Sequence, residues 1–134
     1  MVEQSFTAPI KVVLGKRKFS NYWLSMNNYR NWHPMVSNNI KTSFKESLDL
    51  STLVPAIPPI KLIYTFYYPN LSHRDIGNSL AVVDKFTADA LVDAKIITDD
   101  NYTIVQSVEG LFGGIDRDNP RCEVTILSQT NNQQ

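Results

Sequence analysis

A chain of 134 residues, 43% apolar and 19% charged, has the size and mix of one folded domain and is too apolar to be wholly disordered. Its most apolar run, Ile60 to Tyr68, carries Lys61 and is under half the length of a membrane-spanning helix; Met1 to Ile10 lacks the basic region and apolar stretch of a secretory signal. The formal net charge of zero conceals a split, +5 over residues 1–61 (eight basic, three acidic) and −5 over residues 62–134 (five basic, ten acidic), which suits a polyanion-binding surface beside an acidic site.

Pro9 to Leu14 reads as a first strand, ended by Gly15 and the basic run Lys16-Arg17-Lys18. Tyr22 to Pro34, rich in Asn and aromatics without a clean period, reads as loop. From Pro34 a helix is expected, with Val36, Ile40, Phe44 and Leu48 or Ser47 at four-residue steps on one apolar face, and Lys41 and Lys45 beside it. Leu50 to Pro59 holds Pro55, Pro58 and Pro59 and cannot lie inside a sheet. Ile60 to Tyr68 is strongly β-prone and apolar on both faces, which places it centrally in the sheet. A second helix runs from about Gly77 or Asn78 to Ala94, its buried stripe marked by Leu80, Val83, Phe86-Thr87, Ala90-Leu91 and Ala94. Asp99-Asp100-Asn101 is a turn, and Tyr102 to Val108 and Arg121 to Ser128 are strands joined by the loop Gly110 to Pro120. Residues 129–134 are a polar, frayed tail behind a domain covering 1–128. Cys122 is the lone cysteine, so no internal disulfide can form and a cytoplasmic setting is expected. The fold expected is α+β, a single domain with a mixed sheet of about four strands and two main helices.

The stretch that carries chemistry is Arg74-Asp75-Ile76-Gly77-Asn78, then Asp84-Lys85-Phe86, Asp89-Ala90-Leu91 and Thr98-Asp99-Asp100-Asn101. Asp75 precedes a helix roughly 25 Å long and Asp99-Asp100 follow it, so these acids meet only if the chain folds back. Carboxylates converging on Mg²⁺ beside a lysine are what phosphodiester cleavage needs. Asn78, Lys85 and Asp89 share one line of the helix, opposite the apolar stripe, and Asp84 falls on that stripe's flank. In a straight helix Asp75 and Asp84 point to opposite sides about 13 Å apart, so they share a metal only if Asp75 sits on a loop that curls back. Spacing alone favours plainer roles: Asp75 as an acid at a helix N-terminus, Lys85 and Asp89 as a surface pair, and Asp99-Asp100-Asn101 as turn chemistry. His33 and His73 read as exposed loop residues rather than ligands.

A family pattern reverses those odds. Arg74-Asp75-Ile76-Gly77-Asn78, Asp84 to Val92, and Ile97-Thr98-Asp99-Asp100-Asn101-Tyr102 together resemble the signature of the RusA Holliday-junction resolvases. Tyr29-Arg30-Asn31-Trp32-His33 with Lys41, and Asn119 to Val124, resemble further family segments, so the likeness covers roughly residues 10–128. It implies a homodimeric Mg²⁺-dependent endodeoxyribonuclease, with Mn²⁺ able to stand in, that cuts two opposed strands of a four-way DNA junction in a bacterial or phage-infected cytoplasm. By position, Asp75, Lys85 and Asp100 match the family's catalytic residues. The metal would be held by Asp75 and Asp100 with Asp84 or Asp99, because Gly77 stands where the family has a second aspartate. Lys16, Arg17, Lys18, Arg30, Lys41, Lys45 and Arg74 are the expected DNA contacts, and Asn78 lies beside the site. Two other outcomes stay open: a non-catalytic DNA-binding protein on the same fold, and an interaction protein with no nucleic-acid role. For the dimer, Val82 and Val92 on the polar side of the second helix, or Tyr64, Phe66 and Tyr68 on the sheet, are expected to meet the partner.

Overall fold

The computed structural model describes residues 2–15 and 20–128, and the expectations for Lys16, Arg17, Lys18 and the tail 129–134 lie outside them. In chain order the elements are β1 (Val2–Ala8), β2 (Lys11–Leu14), β3 (Ser20–Trp23), α1 (Met26–Tyr29), α2 (Pro34–Ser47), β4 (Ile60–Tyr68), α3 (Ile76–Asp93), β5 (Val105–Ile115) and β6 (Arg121–Ser128). The main sheet has the order β1-β6-β4-β5, with β4 parallel to β5 and antiparallel to β6, and β1 antiparallel to β6. β2 and β3 pair separately as an antiparallel ribbon. The chain is thus a single α+β domain with a mixed four-stranded sheet and two main helices.

Strand periodicity decides which side of the sheet is covered. Ile60, Leu62, Tyr64, Phe66 and Tyr68 of β4 are buried, as are Cys122, Val124 and Ile126 of β6 and Phe6 and Ala8 of β1. Ile63, Thr65 and Tyr67 on the other side of β4 are only half-buried and Lys61 is exposed, so β4 is central but not covered on both faces. Phe86 of α3 meets Phe44 of α2 edge to face at 5.5 Å and Tyr29 at 6.2 Å. Phe44, Phe66 and Phe86 are almost wholly enclosed, each contributing about 1.5–3 kcal/mol of burial. Burial pushes the Cys122 thiol up to about 12, which leaves it a packing residue.

Several boundaries differ from the sequence reading. Val2–Ala8 is a strand although only Phe6 and Ala8 are buried, because β6 supplies its hydrogen-bonding partner. The stretch read as loop from Tyr22 contains the end of β3 and the short helix α1, whose N-cap Ser25 accepts from Asn28 N. The loop expected from Gly110 begins only after Ile115. A Cβ on Gly113 would stand 2.6 Å from Tyr67 Cζ and 2.7 Å from Thr65 Cγ2, and one on Gly110 would stand 2.9 Å from Ile76 Cγ2, so both glycines serve close packing rather than a turn. The register between β4 and β5 slips at Phe66/Tyr67, a bulge that Gly114 accommodates at φ +143°. Val82 is fully buried because α1 and α2 also pack on α3 and widen its covered face. With Tyr64, Phe66 and Tyr68 buried too, those four residues cannot form an exposed dimer surface.

Candidate functional site

β4 ends at Tyr68 and the chain turns through Asn70, whose Oδ1 accepts from Ser72 N at 3.1 Å and from Arg74 Nη1 at 3.0 Å. The Arg74 guanidinium lies over the Trp23 ring at 5.5 Å and over the Tyr68 ring at 5.2 Å. Lys11 Nζ lies over Trp23 at 5.2 Å as well, so one indole carries two cations. Asp75 is the N-cap of α3, in extended backbone, and its Oδ1 accepts from Gly77 N at 2.8 Å. Its carboxylate thus offsets the positive end of the helix. Trp23, His73, Arg74, Asp75 and Asn78 line a cleft of about 350 Å³ between the β2–β3 ribbon and the start of α3.

Asp84 occupies a different place. It lies half-buried on α3, and Tyr64, buried in the centre of β4, donates its phenol to Asp84 Oδ1 at 2.7 Å. Burial raises the Asp84 carboxyl above its usual range and the charge of Asp100 raises it further, while the Tyr64 hydrogen bond opposes both. Burial likewise drives the Tyr64 phenol well up, with the Asp84 charge adding to it.

Asp100 comes near because of how α3 ends. Lys95 takes φ +61°, its N–H bonds Val92 O at 3.0 Å and Ile96 N bonds Leu91 O at 3.0 Å, the paired closure of a Schellman turn. The turn sends the chain back toward β5, carrying Asp100 within electrostatic reach of Asp84. Asp99 instead accepts from Asp100 N at 2.7 Å and Asn101 Nδ2 at 2.9 Å, bonds that hold its carboxyl below the usual range and commit it to the turn.

The fold therefore puts Asp84 in the field of Asp100 and leaves Asp75 about 13 Å from Asp84 along the helix rise. Asp75 does not curl back, since α3 is continuous from Ile76. No three His, Cys, Asp or Glu side chains among the described residues stand together as a metal-holding group. Lys85 is exposed and makes no ion pair among the described residues; the plainer expectation that it pairs with Asp89 fails, because Asp89 bridges to Lys41 at 2.6 Å. Lys45 bridges to Asp93 at 2.5 Å. These bridges tie α2 to α3 and neutralise two of the cations expected to meet DNA, whereas Arg30 is exposed.

Three participants escaped the sequence reading: Trp23, Lys11 and the phenol of Tyr64. The first two come from a segment read as strand and loop, and Tyr64 from a strand read as core. Only the crossing of elements joins them to the site. A scan against protein-family models and a search of curated proteins find no match to this chain.

Proposed function

We propose that this chain recognises branched DNA and acts as a structure-selective endodeoxyribonuclease of the RusA type, resolving four-way junctions as a homodimer. The observation that carries the reading is the cation–aromatic cleft at the start of α3. Arg74 and Lys11 are held against Trp23, with Asp75 and Asn78 beside them, and Arg74, Asp75 and Asn78 belong to the segment that resembles the family signature. A guanidinium fixed by aromatic faces and by Asn70 is preorganised for a phosphate oxygen. Exposed Lys85 would offset charge developing on the scissile phosphate. Two chains about a two-fold axis match the symmetry of a four-way junction, and the expected setting is the cytoplasm. No helix among the described residues is long and apolar enough to cross a membrane.

The separation of Asp75 from Asp84 along α3, with Gly77 where the family carries an acid, favours one second reading: a junction-binding protein that does not cut. A labelled four-way junction with Mg²⁺ separates the two. Symmetric nicking of opposed strands supports the endonuclease, retarded but intact DNA supports binding alone, and neither cutting nor retardation rejects both. Gly77→Asp sharpens the test. Its Cβ would sit 3.1 Å from Asp75 Oδ1, so a second carboxylate enters beside the first, and cutting or metal affinity should rise if the site merely lacks that acid.

A further inference from the structure

Phe66, Tyr68 and Phe112 form a run of near-parallel rings across the end of the sheet. Phe66 and Tyr68 lie 5.9 Å apart at 6°, and Tyr68 and Phe112 lie 6.3 Å apart at 16°. The first two rings are buried, but Phe112 is 56% exposed. It stands on β5, the edge strand, so no further strand covers the outer side of the run among the described residues. The bulge at Phe66/Tyr67 falls directly after Phe112, which keeps Phe112 opposite Phe66 while the strand beyond it is displaced. Beside the rings opens a groove of about 340 Å³, lined by Leu71, Arg74, Ile76, Phe112 and Ile115 among others, with no Asp or Glu in its wall. That volume is at the small end of small-molecule sites, about 300–1,000 Å³.

The groove joins two chemistries. An open aromatic face continues a stack, so it favours a planar ring, and Arg74, 5.2 Å from the Tyr68 ring, supplies a positive charge to a groove whose own wall holds no acid, Asp75 lining the adjacent cleft instead. A nucleotide joins these two features, a planar ring and an anion. We propose that Phe112 is a stacking platform for one unpaired base of a DNA strand, with Arg74 holding the adjoining phosphate. This rests on the reading of the chain as a DNA-binding protein and adds the feature recognised: a base out of the duplex stack, as arises at a branch point.

The test uses the full chain and a four-way junction bearing 2-aminopurine beside the crossover, with Phe112→Ala and Phe112→Tyr as variants. Wild type and Phe112→Tyr should change the 2-aminopurine fluorescence on binding. Phe112→Ala should abolish that change and weaken binding about tenfold, the usual scale for one lost stacked base. Because Phe112 is exposed, the alanine variant should melt with wild type, which a thermal scan verifies. Free dAMP supplies the second arm: binding much weaker than that of the junction supports a strand as the ligand. Equal affinity for dAMP, with no fluorescence change on the junction, overturns the proposal. So does junction binding indifferent to Phe112→Ala, or a variant that loses only dimerisation by light scattering. If wild type binds no junction, the DNA reading itself falls and takes the stacking site with it.

Discussion

Replacing Tyr64 with Phe removes one oxygen from the middle of the molecule and leaves the ring in place. Tyr64 is wholly buried and its hydroxyl donates to Asp84 at 2.7 Å. A hydrogen bond to a charged group contributes about 1.5–3 kcal/mol. Tyr64→Phe should therefore cost about 2 kcal/mol at neutral pH, a fall in Tm of roughly 6–8 °C for a domain of this length. The pH dependence carries a sign. The folded-state Asp84 carboxyl is raised, so its contribution to stability is fully present below the ordinary carboxylate range and is lost as pH rises through the folded value. The phenol opposes that rise by stabilising the charged form, so its removal moves Asp84 further up. The destabilisation should be largest above the folded value, where Asp84 is ionised and loses its donor, and should shrink as pH falls through that value, where a neutral acid loses less. Urea titrations of both proteins on either side of that value measure it. Equal stability at pH 7, or a deficit that grows on acidification, would refute the reasoning.

Asp75→Asn keeps an N-cap acceptor for Gly77 N, so Tm should hold within about 1 °C while cutting is lost and junction binding persists; Asp75→Ala should also cost about 1 kcal/mol of stability. Melting curves and nicking assays on both variants divide charge from cap. Lys95→Gly relieves a side chain held at φ +61° and should raise Tm by about 3–5 °C, read by calorimetry. Gly113→Ala drives a methyl into Tyr67 and Thr65 at 2.6–2.7 Å and should destabilise by about 1–3 kcal/mol in a denaturant titration.

What was legible in the sequence was what depends on long, local patterns. Ile60–Tyr68 and the two main helices carry enough apolar periodicity to declare themselves. The expected α3 stripe runs from Leu80 to Ala94, however, whereas the buried face takes in Ser79 and Val82 and leaves Leu80 half-buried and Ala94 exposed, with α1 and α2 also packed on the helix. β1 is nearly silent, since its pairing with β6 spans almost the whole chain. Gly110 and Gly113 misled because glycine signals a turn in sequence but here makes room for α3 and Tyr67. For the site, helix arithmetic was sufficient to separate Asp75 from Asp84 once α3 proved continuous. The Tyr64–Asp84 bond was beyond it, because no sequence period connects a strand's inward face to a helix's flank 20 residues later.

The strand order has a consequence for how the chain comes to exist. Among the described residues β1 pairs only with β6, and β4 only with β5 and β6, so every ladder of the main sheet requires residues from Val105 onward. During synthesis the first hundred residues emerge with β1 and the apolar β4 unpartnered, and the sheet can close only when Arg121–Ser128 threads between them. Assembly is therefore governed by its latest and most distant contacts, the regime of slow, non-local folding. Until then β4, bare along both edges, is the segment a chaperone has most reason to hold.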